Sequence, residues 1–259
     1  MIKELVVKDI KIRYSHSLLQ FFWAFLSPLL IVLILYLVFG VILKVRIDEA
    51  PFLLYLMTAV FIWRFFQDSL VCSTTSLIDN KHMIRESNFP HYLIPVSIVL
   101  SFAINLIASL VILMIVSLLV LGELPFLVLL LPLVLIIHLS LATGLSIIFS
   151  IWYIKWRDIK HILDAALLLM FYLTPAFYSV FQVKSTFSPI LFRMYMYNPL
   201  VAILNLYRFT LLEGFYKTMQ KEMSLSSLIV IPSCFCLIVL WYGFRLYNKN
   251  KIINDYLSY

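Results

Sequence analysis

Long apolar stretches constrain the fold of this chain more than any other feature of its sequence. A helix that crosses a bilayer needs about 20 mostly apolar residues. The chain is 63% hydrophobic and 13% charged, whereas soluble domains are roughly half apolar and a quarter charged. We therefore expect a single all-α membrane domain over residues 1–259, with six transmembrane helices at 26–43, 52–74, 95–121, 125–152, 162–181 and 225–247.

The distribution of basic residues predicts how this domain is oriented. An even number of crossings places both termini on the same side of the membrane. With the termini inside, the inner segments carry 12 Lys and Arg residues and the outer segments carry 7. Because cytoplasmic loops are enriched in basic residues, we expect both termini to be cytoplasmic.

Prolines are expected to interrupt several of the apolar helices. Pro132 and Pro175 lie inside the fourth and fifth predicted crossings, where a proline kinks a helix. Farther along, Asn198-Pro199 divides segment 188–214 into two apolar halves, each too short to cross about 30 Å of hydrocarbon. We expect a re-entrant helical hairpin at 188–214, and two further, weakly marked crossings remain the alternative.

The N-terminal segment 1–22 has the pattern of an amphipathic helix. Ile2 and Leu5 fall on one helical stripe, and Lys8 and Lys11 fall on the opposite one. This pattern predicts a helix that lies in the membrane interface with its basic face in water. An ordinary solvated leader is the alternative.

Segment 79–94, between the second and third crossings, is also amphipathic. Apolar residues such as Ile84 and Phe89 alternate with charged residues such as Arg85, and Pro90 should end the helix. The segment is too short for a domain. We expect a helix parallel to the membrane that accepts force from a soluble partner.

The chain lacks the motifs of common catalytic sites. Its five glycines are never five residues apart, which excludes a GxxxxGK[ST] phosphate loop, and neither HExxH nor GxSxG occurs. The scattered basic residues argue against nucleic-acid binding. We predict no catalytic residue, metal or cofactor in this chain, although chemistry on lipid-linked substrates remains open. The cysteines are expected to be buried apolar residues: Cys72, Cys234 and Cys236.

Two charged residues interrupt the second crossing. Arg64 and Asp68 are four residues apart, so they share a helical face and can pair. Charges within a membrane normally face protein or water. Two interpretations of the pair remain open: a wet pathway ringed by Trp63, Arg64, Phe65 and Phe66, or a structural ion pair that locks two helices together. The aromatic residues of the chain fit either stacking on sugar rings or packing in the membrane interface and against lipid.

Six short segments, in order along almost the whole chain, resemble one known family. They are 9-DIKIRYSHSLLQFFWAFLSPLL-30, 61-FIWRFF-66, 87-SNFPHYLIP-95, 156-WRDIKHIL-163, 173-LTPAFYS-179 and 197-YNPL-200. Together they make the chain resemble the membrane subunit of ABC-2 type exporters of bacterial polysaccharides, which include O-antigen, capsule and teichoic acid permeases.

The resemblance implies a homodimer in the bacterial inner membrane with a conduit between the two copies. Two copies of a separate cytoplasmic ATPase, which binds ATP and Mg, would lie beneath it. The substrate would be a lipid-linked polysaccharide, and O-antigen is preferred over capsule, teichoic acid or a small molecule. A membrane enzyme acting on polyprenyl-linked sugar and a non-transporting anchor are the alternatives from other classes.

The resemblance also implies roles for individual residues. The coupling site to the ATPase would comprise Arg85, Glu86, Asn88, Phe89, Pro90 and His91. The substrate pathway would comprise Tyr36, Trp63, Arg64, Phe65, Phe66, Tyr172 and Tyr178. The interface helix and entrance would comprise Arg13, Tyr14, Phe22 and Trp23. The outer gate would comprise Tyr197, Asn198, Pro199 and Arg208.

Two positions depart from the family pattern as we expect it. Position 91 holds a histidine where a basic residue, often arginine, is expected, and an unperturbed histidine is mostly neutral at pH 7. This departure argues against a salt bridge from His91 to the ATPase. Arg64 stands where a small polar residue is expected, which favours an acidic glycan.

Overall fold

The computed structural model describes residues 1–14, 18–86, 89–122, 125–220 and 225–249, and every regular element within them is a helix. This confirms the all-α prediction. The first six α-helices are α1 (Ile2–Tyr14), α2 (Leu18–Leu35), α3 (Phe52–Asp79), α4 (Lys81–Glu86), α5 (Leu93–Leu121) and α6 (Leu131–Lys155). The remaining six are α7 (Ile159–Leu173), α8 (Val180–Thr186), α9 (Pro189–Met196), α10 (Pro199–Leu211), α11 (Glu213–Met219) and α12 (Leu225–Lys249).

Helix α3 forms the centre of the fold. It packs against α5 on one side and α6 on another, and α6 in turn packs against α12. Buried residues occur on every face of α3 between Leu54 and Phe66, which fits a continuous apolar run with no amphipathic period. Since each neighbour covers a different face of α3, the hydrophobic core follows this helix along its length.

Within the part of the chain that the structure describes, three helical segments are long and apolar enough to cross a membrane: Leu93–Leu121, Phe126–Lys155 and Leu228–Lys249. Shorter apolar helices occur at Leu26–Ile42 and Pro199–Leu211. Helix α3 has 28 residues but carries the charged residues Arg64 and Asp68. The chain is therefore a multi-pass membrane protein, and the number of six crossings remains a prediction.

Several helix boundaries differ from those predicted by the sequence. The first apolar helix begins at Leu18 and continues into a π-helix, Tyr36–Ile42. The fifth ends at Leu173, because Thr174 precedes Pro175 and adopts an extended backbone with ψ of 151°. Pro132 also causes no kink, because it lies in the first turn of α6 after a 3-10 helix, Phe126–Leu130.

The prediction of buried cysteines is wrong for two of the three. Cys72 and Cys234 are exposed on the surface of the chain, and only Cys236 is buried. Both exposed cysteines lie on long helices, α3 and α12. Apolar residues on the outside of a membrane helix can face lipid, so hydrophobicity alone does not predict burial within the protein.

Helices α6 and α12 cross at very short range. A Cβ atom at Gly144 of α6 would lie 2.8 Å from the backbone N of Leu240, and a Cβ at Gly243 of α12 would lie 2.9 Å from the carbonyl oxygen of Gly144. Only glycine fits at such positions, and small residues commonly allow membrane helices to approach this closely. The two backbones are therefore in direct contact.

Candidate functional site

Helix α4 presents charged residues at one end of the molecule. The helix is only six residues long, shorter than the predicted segment 79–94, because α3 continues to Asp79 and α5 already begins at Leu93. Arg85 and Glu86 are exposed, whereas Ile84 is buried. Ile84 joins a small hydrophobic cluster that is separate from the main core and contains Leu77, Ile84, Ile94, Ile147, Ile151 and Ile154.

The loop after α4 is attached to the end of α12. The backbone N–H of His91 donates a hydrogen bond of 2.9 Å to the Tyr247 hydroxyl. The rings of His91 and Phe89 meet edge to face, with centroids 5.6 Å apart. Burial lowers the pKa of His91, so its side chain is neutral at pH 7. Pro90 is exposed, and Asn88 lies outside the described residues.

Helix α1 lies against α5 and uses polar as well as apolar contacts. The guanidinium carbon of Arg13 lies 3.5 Å from the centroid of the Phe102 ring, and its Nη2 donates to Ser101 Oγ over 3.1 Å. Asp9 accepts a hydrogen bond from Ser97 Oγ at 3.0 Å. Burial raises the pKa of Asp9 more than this bond and the Arg13 charge lower it.

The two lysines of the predicted basic face of α1 differ in their surroundings. Lys11 is exposed, whereas Lys8 is half-buried and donates to Asn80 Oδ1 at 3.0 Å, directly before α4. Of the predicted entrance residues that follow, Phe22 and Trp23 are exposed on α2. The side chain of Tyr14 lies outside the described residues.

The predicted pathway residues of α3 separate into a buried and a half-exposed group. Trp63, Phe65 and Phe66 are buried in the core, where both phenylalanines contact the His138 ring at centroid distances of 4.8 and 5.9 Å. Arg64 and Asp68 are about two-thirds buried and form the predicted ion pair, with Nη2 to Oδ2 at 3.3 Å. The pair lies on a single helix.

The other predicted pathway residues lie in three different surroundings. Tyr172 is exposed on α7. The Tyr178 hydroxyl donates to the Leu173 carbonyl at 2.9 Å and also contacts the Tyr195 hydroxyl at 3.1 Å. Tyr36 begins the π-helix and lines a separate cavity. The single chain therefore does not bring all these side chains to one surface.

The hairpin that we predicted as an outer gate contains a break at the expected place. The Asn198 side chain caps α10 by accepting from the Leu200 N–H at 3.0 Å, and Pro199 occupies the first turn of the helix. Tyr197, before the cap, is exposed. The polar side chain at Asn198 and the fixed backbone of Pro199 explain why one helix ends here and another begins.

Arg208 of the same hairpin is fully buried. Its Nη2 donates to the carbonyl oxygens of Tyr55 and Ala176 at 3.2 and 3.4 Å, and its guanidinium carbon lies 3.3 Å from the centroid of the Tyr55 ring. The charged group thus joins α10 to α3 and to the irregular segment 174–179. It lies inside the protein rather than at a surface.

A cavity of about 580 Å³, which the sequence did not predict, lies where segment 44–51 meets the start of α11. Its lining includes the aromatic residues Tyr36 and Phe52 and the charged residues Arg46, Asp48, Glu49 and Glu213. Four charged residues within 44-KVRIDEAP-51, between two apolar runs, are the signal that could have indicated it.

Comparison with known proteins identifies the family of the chain. Residues 2–212 match the ABC-2 type transporter family. Two proteins of Klebsiella pneumoniae called "O-antigen export system permease protein RfbA" are 32% and 30% identical to it over 209 residues, which is 80% of this chain and 78% of theirs. A protein of the same name from Myxococcus xanthus is 27% identical over 227 residues, 88% of this chain and 86% of its own.

These matches confirm the resemblance seen in the six sequence segments. The matched region begins within α1 and ends at Leu212, so it includes α4, the pathway residues of α3 and helices α9 and α10 of the hairpin. With its helical fold and its long apolar helices, this chain belongs to the ABC-2 type transporter family.

Proposed function

We propose that this chain is the permease subunit of an ATP-driven exporter that moves a lipid-linked polysaccharide, O-antigen, across the bacterial inner membrane. One observation carries the proposal. Three relatives named as O-antigen export permeases align with the chain over 78–86% of their own lengths. The absence of a phosphate loop from the sequence fits a chain that takes its energy from a separate subunit.

The coupling site that we propose is the short helix α4 and the loop that follows it. Exposed Arg85 and Glu86 present charge to a partner, while buried Ile84 transfers the position of the helix to α3, α5 and α6 through the small cluster. The partner would be two copies of a cytoplasmic ATPase that binds ATP and Mg. His91 would contribute shape rather than charge, because burial lowers its pKa.

The conduit that we propose lies between two copies of the chain. A conduit between protomers must be lined by residues that are exposed on one protomer, and Phe22, Trp23, Tyr172 and Tyr197 meet this condition. The buried aromatic residues around His138 fit a supporting role behind that surface. Arg13, in contact with α5, would help to hold the interface helix at the entrance.

The membrane topology that we propose has six crossings and two cytoplasmic termini. The crossings are α2 with its π-helix, then α3, α5, α6, α7 together with the irregular segment 174–179 that follows it, and α12. Helices α9 and α10 would form a re-entrant hairpin on the outer side, since 8 and 13 residues are too few to cross.

Cysteine labelling in whole cells tests the proposed topology. After replacement of the native cysteines, single cysteines that replace Lys44 and His82 are treated with an impermeant maleimide. Labelling of position 82 but not 44 would contradict it.

Deletion of the gene from its host tests the function. Surface polysaccharide should disappear and lipid-linked polymer should accumulate in the inner membrane, with both effects reversed by the intact gene. Normal surface polysaccharide in the deletion strain would refute the proposal. A membrane enzyme is distinguished by the polymer itself, because loss of an enzyme would change or remove the lipid-linked product instead of trapping it.

Crosslinking tests the partner. A cysteine that replaces Phe89 should form a crosslink to the ATPase subunit in membranes. A cysteine that replaces exposed Leu129, at the proposed outer end of the fourth crossing, serves as the control. Equal capture from both positions, or none from position 89, would contradict the coupling site.

A further inference from the structure

We infer that the cavity between segment 44–51 and the start of α11 binds one or two neutral sugar units of the transported polymer. This inference rests on the proposed function, because it assigns the transported polymer to a specific place on the chain. The cavity is separate from α4 and from the aromatic residues around His138, and its Glu49 lies close enough to buried Arg208 for their charges to interact. Its volume of about 580 Å³ lies within the usual range of small-ligand sites.

An unsatisfied buried carboxylate provides the first argument. Glu49 is only 7% exposed, and its Oε1 accepts a hydrogen bond from Ser179 Oγ at 2.6 Å. Its Oε2 is buried and has no hydrogen-bond partner among the residues that the structure describes. A buried carboxylate oxygen without a partner is costly, and Glu49 lines the cavity. A ligand hydroxyl that donates to Oε2 would remove this cost.

The other polar groups of the cavity fit hydroxyl ligands as well. Arg46 supplies donors, and Asp48 supplies a further acceptor. A sugar hydroxyl can donate and accept at once, so it suits a mixture of carboxylates and a guanidinium. Glu213, which also lines the cavity, forms an ion pair with Lys217 and is thereby held in position.

Two aromatic rings provide the second argument. Tyr36 and Phe52 line the cavity with ring centroids 6.3 Å apart. A Cβ at Gly40 would lie 3.0 Å from Phe52 Cδ1 and 3.3 Å from the Tyr36 ring, so glycine permits this arrangement. Aromatic rings offer an apolar face to the C–H surface of a sugar. Tyr36 and Gly40 both belong to the π-helix, an element that often occurs at functional sites.

The charges of the cavity exclude two other ligand classes. Among the described residues no group of three or more His, Cys, Asp or Glu side chains is arranged to hold a metal ion, which argues against a cation. The three carboxylates of the lining are balanced by Arg46, by Lys217, which pairs with Glu213, and by the nearby charge of Arg208. No surplus positive charge is left to bind an acidic sugar, and this opposes the acidic glycan that Arg64 suggested. Neutral sugars are therefore the ligand class that fits the cavity.

Binding measurements on the complete transporter test the inference. The full chain and its ATPase, in lipid nanodiscs, are titrated with di- to tetrasaccharides released by mild acid from the surface polysaccharide of the host, and saturation-transfer NMR gives Kd. Glu49→Gln should weaken binding about tenfold, because it keeps an acceptor for Ser179 but removes one charged hydrogen bond. Lys44→Gln is the matched control, since Lys44 belongs to the same segment but does not line the cavity.

Two further variants separate loss of the site from misfolding. Gly40→Ala narrows the cavity beside the two rings and should also weaken sugar binding. Ser179→Ala removes the hydrogen bond to Glu49 without filling the cavity and should leave sugar binding intact. Unchanged Kd in Glu49→Gln, an equal loss in Lys44→Gln, or no binding by the native transporter would overturn the inference. Binding of Ca²⁺ that depends on Glu49 would overturn it too. The deletion experiment measures export separately. The inferred sugar site can therefore be disproved without contradicting the proposed export function.

Discussion

The two ends of the molecule differ in how completely their helices are buried. At the hairpin end, every residue of α10 from Val201 to Leu211 is buried, including the charged Arg208. At the opposite end, α4 buries only Ile84 and rests on a small cluster. A helix that is buried on all sides keeps its position. A helix that fully buries one residue and packs a second, Met83, only partly can be moved by a partner. The contrast fits one end that keeps its shape and one end that receives force.

The largest effect should come from removing the buried arginine. Arg208→Met removes the buried guanidinium that donates to the carbonyl oxygens of Tyr55 and Ala176 and should cost about 3 kcal/mol of stability. The melting temperature of the detergent-purified chain measures this. Arg193→Met is the matched control, because Arg193 lies in the same hairpin but is exposed. Equal shifts for the two variants would remove the distinction between the two ends.

A smaller loss should follow from weakening the attachment of α4. Ile84→Ala truncates the one fully buried side chain of the helix and should cost about 2 kcal/mol locally. Hydrogen exchange of residues 81–96 should accelerate more than that of α10. Ile162→Ala, at an isoleucine that is 62% exposed, provides the comparison. Faster exchange throughout the chain would mean that α4 belongs to the main core after all.

Exchanging the exposed charges of α4 should leave stability nearly unchanged. Arg85→Glu combined with Glu86→Arg keeps the net charge and should alter stability by less than about 0.5 kcal/mol. Export should nevertheless be lost, as measured by surface polysaccharide, if these residues contact the ATPase. Lys3→Glu with Glu4→Lys makes the same exchange on exposed residues of α1. Normal export by the α4 variant would disprove the coupling role of Arg85 and Glu86.

The smallest effect should be a pH dependence at the loop after α4. Burial lowers the pKa of His91 below its ordinary value of 6.5, so the unfolded loop binds a proton more readily than the folded loop. The folded loop is therefore most stable against opening above about pH 6.5, and it loses this stability as the pH falls below that value.

Hydrogen exchange of residues 89–96, corrected for intrinsic rates, should show more opening at pH 5.5 than at pH 7.5. His91→Gln should reduce this difference, whereas His82→Gln, at an exposed histidine of α4, should not. An undiminished pH response in His91→Gln would assign it to another group, such as Asp9.

The sequence predicted the features that depend on local pattern. The all-α class, the pairing of Arg64 with Asp68 and the break at Asn198-Pro199 follow from hydropathy, helical period and proline geometry. The end of α7 at Leu173 could have been predicted too, because the residue before Pro175 disfavours helix. The site residues of α3 could be located on a helix from the sequence, but not oriented.

The sequence could not predict contacts between distant segments. Arg208 was expected at a gate, and its burial depends on carbonyl groups 153 and 32 residues earlier in the chain. The cavity combines the π-helix, segment 44–51 and the start of α11, and none of these carries a recognisable motif. Periodicity describes single helices, whereas these features arise only when helices pack.

The direct contact between α6 and α12 has a mechanical consequence. Where two backbones touch at Gly144 and Gly243, no layer of side chains lies between them to deform. The same α12 accepts the His91 N–H through Tyr247, a few residues beyond Gly243. A push on the loop after α4 would therefore move α6 and α12 together as one stiff unit.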